Sequence, residues 1–144
     1  MKIIAKNVPD LPPEVRKPIM REVEACRKYF PHWLKTLYLY FITNPNGMNG
    51  RAEITTSPEY FCATLRIMPR WLDLSESERR HTLLHEVGHL HHAQAFQTAQ
   101  TIITETTEGA QQELSIALLK RSFEESAEAF ALMVEELESN GRAR

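Results

Sequence analysis

The sequence predicts an α+β fold: an N-terminal helix, a small three-stranded antiparallel sheet, and two long helices. Three observations predict it. An apolar stripe at helical spacing runs from Ile19 to Phe30, and period-two alternation runs from Tyr60 to Met68. Nearly all of the 19 acidic residues are glutamate, a good helix former, and most lie in the C-terminal half, where helical periodicity is strongest.

The first 17 residues include Pro9, Pro12 and Pro13 and read as extended. Pro18 suits a first helical position, where its missing N–H costs nothing. Ile19, Val23, Cys26 and Phe30 then recur at helical spacing until Pro31 closes the run. Leu37 to Ile42 is rich in aromatic and β-branched residues and meets a strong turn signal, Asn44-Pro45-Asn46-Gly47. A second strand is expected over Arg51 to Thr56, ended by Ser57-Pro58. In the third, Phe61, Ala63, Leu65 and Ile67 alternate with Tyr60, Cys62, Thr64 and Arg66, one face buried and one open. Short links suggest a meander.

Ser75 and Glu78 form a capping box that opens a helix through Leu83, Leu84, Val87 and Leu90. The Thr-rich stretch Thr98 to Thr107 weakens the helical signal and is where a bend is expected. A last helix shows its stripe at Leu119, Phe123, Ala127, Phe130, Val134 and Leu137, with Gly141 beyond its end. No repeat or linker divides residues 1–144, which read as one domain.

Composition narrows the function. A net charge of −2 with scattered basic residues argues against nucleic acid or an anionic membrane as partner. No apolar run approaches spanning length, and the N-terminus lacks a signal h-region, so a cytoplasmic protein is expected. Cys26 and Cys62 are too few for a disulfide framework, and Cys26 falls on an apolar stripe as a buried thiol.

The chemistry lies in His85-Glu86-Val87-Gly88-His89, an H-E-x-x-H motif inside a predicted helix. Histidines four apart on a helix share a face, with Cβ atoms about 6 Å apart, so both rings can meet one cation. Glu86, one residue round from His85, can reach a water on that cation and act as general base. Gly88 costs about 1 kcal/mol in mid-helix relative to alanine, which implies close packing there.

A catalytic zinc takes a third protein ligand. Candidates are Glu105, Glu108, Glu113, Glu124, Glu125 and Glu128. Glu124 and Glu128 flank the apolar stripe one turn apart, at the edge of the buried face, whereas Glu113 is about 16 Å from Glu124 along the axis. Position favours Glu124.

The segment Phe123-Glu124-Glu125-Ser126-Ala127-Glu128-Ala129-Phe130-Ala131 resembles the second signature of the gluzincin metallopeptidases, often E-x-x-A-[DE]-x-F-A. With the H-E-x-x-H motif the resemblance covers two helices, roughly half the chain, and is nearest to small intracellular ImmA/IrrE-type peptidases. It implies His85, His89 and Glu124 as zinc ligands, Glu86 as base, and Glu128 as the acceptor orienting a ligand imidazole. It also implies an edge strand holding extended peptide, expected here to be the strand over residues 60–68. Glu128 departs from the commoner aspartate, and no second domain of the kind that closes the cleft in larger members follows.

The expected activity is zinc-dependent hydrolysis of peptide bonds, with a peptide or protein as substrate. His92, Tyr60 and Arg66 are candidate hydrogen-bond donors to the transition state, and His81 or His92 can line the site. A zinc-binding interaction or regulatory module without hydrolysis is the alternative, and Glu86, which metal binding does not require, argues against it. Iron, cobalt and manganese also suit a His2Glu site. Substrate preference and oligomeric state stay open at this level.

Overall fold

A computed structural model describes residues 1–43 and 50–142; the turn expected at residues 44–47 lies outside them. The α+β class holds, but the sheet is not a three-stranded antiparallel meander. Four strands form a mixed sheet among the described residues: β1 (Lys2–Ala5), β2 (Thr36–Phe41), β3 (Ala52–Ser57) and β4 (Cys62–Ile67), in the order β1-β2-β4-β3. β1 and β2, and β2 and β4, pair in parallel; only β3 and β4 are antiparallel. β1 has four residues, too few to show a period, and only its pairing with β2 defines it.

β4 is a central strand, although its alternation suits an edge. The sheet is covered by helices on one face, so even a central strand shows one buried and one open side. Leu37, Leu39 and Phe41 of β2 and Ala63, Leu65 and Ile67 of β4 form the buried face. The polar strand, with Glu53, Thr55, Thr56 and Ser57, takes the outer position, where an unpaired backbone edge meets water.

The described residues also form four α-helices: α1 (Pro13–Cys26), the single turn α2 (Pro69–Leu72), α3 (Glu76–Thr106) and α4 (Gly109–Arg142). α1 starts at Pro13 rather than Pro18, which lies inside it. The ring of Pro18 removes a bond to the carbonyl of Glu14, but Glu14 is exposed and that oxygen can be hydrated. α3 continues through most of its Thr-rich stretch, and the break falls at the last residue of that stretch, Thr107. Thr98, Thr104 and Thr106 donate their hydroxyls to carbonyls four residues back, within a helix that runs unbroken to Thr106. The turn follows at Thr107 and Glu108, with Gly109 at φ 58°, and Gln112 Nε2 donates to Thr107 O at 2.7 Å. Gly141 falls within α4 rather than past it.

The core lies between the covered sheet face and the helices. Ile19, Val23 and Cys26 of α1 meet Leu83, Leu84, Val87 and Leu90 of α3 and Ala131 and Val134 of α4, with Trp71 fully buried beside them. Trp33 packs at the margin of this cluster. Burial pushes the Cys26 thiol up to about 12, as expected of an inert cysteine. Among the described residues no helix is long and apolar enough to cross a membrane.

Candidate metal centre

The capping box sets the start of α3: Glu78 N–H donates to Ser75 Oγ at 3.3 Å and Ser75 N–H to Glu78 Oε2 at 2.9 Å. From there Leu84, Val87 and Leu90 turn into the core. The remaining arc carries His85, Glu86 and His89 into a cleft of about 480 Å³ between α3, the edge strand β3 and α4. α4 lies against this arc so closely that a Cβ on Gly88 would come 2.8 Å from Ala127 Cα. The mid-helix glycine is therefore a packing device, as its position implied.

That close approach carries Glu124 to the two imidazoles. One ligand atom each from His85, His89 and Glu124 lie within 4.8 Å of one another. Glu124 Oε2 is 3.2 Å from His85 Nε2 and 3.6 Å from His89 Nε2. Two ligands on one tetrahedral zinc, each at about 2.0–2.1 Å, stand about 3.3 Å apart. The two Glu124 spacings are close to that value, and the three side chains form a group that could hold a metal ion.

Different contacts hold the two rings. His85 Nδ1 faces Glu128 Oε2 at 3.1 Å, the role the acidic residue four beyond Glu124 was expected to fill. The His89 ring packs on Phe123, centroids 4.4 Å apart, and its buried Nδ1 has no hydrogen-bond partner among the described residues. The rings of His85 and His89 meet edge to face at 4.8 Å. Burial draws the His89 pKa down, with the His85 and His92 charges adding and Glu124 opposing. That favours the neutral ring a metal requires. Burial works against ionisation of Glu128, but hydrogen bonds and charge from His85 and His81 outweigh it, and its carboxyl lies below the usual range.

Glu86 projects toward β3. Burial is the main cause that pushes its carboxyl up to about 8, with Glu124 and Glu53 adding and the Ile54 N–H opposing. At about 8 the carboxyl keeps its proton at neutral pH, and a cation in the cleft would draw it back toward the ionised form a base requires.

The cleft runs beside the free edge of β3, not beside β4. Met68 N–H donates to Arg51 O at 3.0 Å, so the odd-numbered residues of β3 direct their backbone groups toward β4. Those of Ala52, Ile54 and Thr56 point outward, in accord with the Ile54 N–H reaching Glu86. The strand over residues 60–68 has β2 on one side and β3 on the other, so no backbone edge remains there for a peptide. The expectation that substrate lies along it is overturned by the strand order.

The three candidate transition-state donors do not line this cleft. Tyr60 is 75% exposed, in a 3-10 turn after β3. Arg66 lies on the open face of the sheet and donates to Thr55 Oγ1 at 3.0 Å. His92 is exposed and borders a separate shallow groove with Leu119 and Ser122. His81 turns away from the cleft toward Glu128 and Glu135. The wall is completed instead by Ala93, Phe96, Gln97 and Gln100 of α3 and Phe123 of α4. Phe96 stacks on Phe123 with centroids 4.3 Å apart. Sequence reasoning missed Phe96, Gln97 and Gln100, yet they follow His89 by 7, 8 and 11 residues, on the same helical face.

Comparison with protein-family models, with curated proteins and with solved structures finds no match to this chain.

Proposed function

We propose that the chain is a zinc-dependent hydrolase of peptide bonds. The observation that carries the reading is the convergence of His85, His89 and Glu124, with Glu86 half-buried beside them in the same cleft and outside that group. Zinc held by those three would act as a Lewis acid on the scissile carbonyl and on water. Peptide would lie along the outward groups of Ala52, Ile54 and Thr56, adding a strand to the sheet. Ile54 and Glu86 are neighbours, so a peptide held there passes over the base. Glu86 takes a proton from the attacking water and returns it to the leaving amine. The Phe96–Phe123 stack beside His89 offers an apolar shelf for a substrate side chain.

A zinc-binding module without hydrolysis needs the three ligands and has no use for Glu86. The test is elemental analysis beside cleavage of a mixed peptide library, for wild type, Glu86→Gln and Glu124→Ala. About one zinc per wild-type chain, retained by Glu86→Gln with no turnover and lost by Glu124→Ala, is the expected result. Glu86→Gln cleaving at the wild-type rate would sink the mechanism. Zinc without any cleavage by wild type would favour the binding module.

A further inference from the structure

Behind the ligand His85, the polar contacts continue. Glu128 Oε2 is 3.1 Å from His85 Nδ1, and both Glu128 oxygens lie near His81 Nε2, at 3.2 and 3.3 Å. On the far side of that ring, His81 Nδ1 is 3.1 Å from Glu135 Oε1. The result is an unbroken row, Glu124–His85–Glu128–His81–Glu135, laid across the crossing of α3 and α4.

Glu128 needs an anchor. Its side chain is 47% exposed, so burial does not fix its rotamer, and a glutamate has one more rotatable bond than the aspartate of the resembling signature. His81 supplies that anchor. Both of its ring nitrogens face carboxylates, which when ionised only accept hydrogen bonds, so both nitrogens must donate and the ring is an imidazolium. A cation with two directed donors and a second carboxylate behind it holds a glutamate in one place.

We infer that His81, backed by Glu135, is a positioning residue for the metal centre: it clamps Glu128 so that Glu128 accepts from His85 Nδ1 and leaves Nε2 free for the metal. This rests on the reading of His85, His89 and Glu124 as a zinc site. A plain interhelical ion pair would affect folding alone, whereas the clamp acts on metal affinity and only through Glu128.

The test measures zinc affinity by competition with a chromophoric chelator, on the full chain at pH 7.5, together with urea unfolding of the chelated protein. The proteins are wild type, His81→Leu, Glu135→Gln, Glu128→Gln and the His81→Leu/Glu128→Gln double variant. Glu128→Gln is expected to lose about 10- to 100-fold in affinity, and His81→Leu about tenfold. The double variant should be no weaker than Glu128→Gln alone. If His81→Leu does not fold, the nearly isosteric Glu135→Gln carries the test, with an expected loss of about threefold or more. Zinc held by wild type and equally well by the folded His81 or Glu135 variant would overturn the clamp alone. Losses at His81 and Glu128 that simply add would also overturn it. A wild type that takes up no zinc would overturn the metal reading and the clamp with it.

Discussion

Gly88 and Ala127 meet backbone to backbone: a Cβ on Gly88 would come 2.8 Å from Ala127 Cα and 2.9 Å from Ala127 O. The contact sits between the two motifs, one residue before His89 and three after Glu124. The distance between α3 and α4, and with it the reach of Glu124 to both histidines, is set there. Gly88→Ala is expected to force the helices apart at a cost of about 1–3 kcal/mol, more than the ~1 kcal/mol that alanine gains as a helix former. Zinc affinity should fall at least tenfold. Urea unfolding and chelator competition check the two effects separately, and a variant that keeps wild-type affinity would remove Gly88 from the account of the site.

The outward backbone of β3 predicts a defect confined to substrate binding. Thr56→Pro removes an N–H that no neighbouring strand uses, and an edge strand tolerates proline there. With an extended peptide substrate, KM should rise about five- to tenfold, the equivalent of one backbone hydrogen bond of about 1–1.5 kcal/mol. Zinc content should not change. An unaltered KM in a folded Thr56→Pro protein would place the peptide elsewhere.

Metal removal should silence the site without unfolding the domain. His85, His89 and Glu124 lie outside the buried apolar cluster, which links the sheet to α1, α3 and α4 on its own. Chelated protein is expected to keep its far-ultraviolet circular dichroism and a cooperative thermal transition, with Tm lowered as linkage requires. Loss of the transition on chelation would mean that the metal is structural.

Glu138 gives a pH-dependent stability. Burial works against its ionisation, but hydrogen bonds from Tyr29 (2.6 Å), Lys28 and Arg80 (2.8 Å) prevail and bring its carboxyl down to about 2 from an ordinary 4.5. A depressed carboxyl contributes stability that is complete above about 4.5 and lost as pH falls toward 2. The effect is at most on the order of 3 kcal/mol, reduced by solvent screening at the helix surface. Glu138→Gln should lower the urea midpoint at pH 7, and the gap between variant and wild type should close between pH 4.5 and 2. A gap that is the same at both ends of that range would count against the assignment.

Local chemistry made much of this protein legible in its sequence. Helical stripes, the capping box at Ser75, the alternation of β4, the buried Cys26 and the tight packing implied by Gly88 are all properties of a few consecutive residues. So is the pairing of His85 with His89, because residues four apart on a helix must share a face. Glu124 and Glu128 were legible as positions at the edge of a helical stripe, and the resemblance pointed to the same two residues.

The order of the strands was not legible. Alternation in β4 reports that one face is covered, not which neighbours pair with it, so the insertion of β4 between β2 and β3 had to come from the tertiary structure. That insertion leaves β3 as the free edge beside the cleft and Tyr60 and Arg66 off it. The same holds for the row from His85 through Glu128 and His81 to Glu135, which joins residues 43 to 54 positions apart. Sequence periodicity assigns each side chain to a face of its own helix; only the crossing of two helices decides which faces meet.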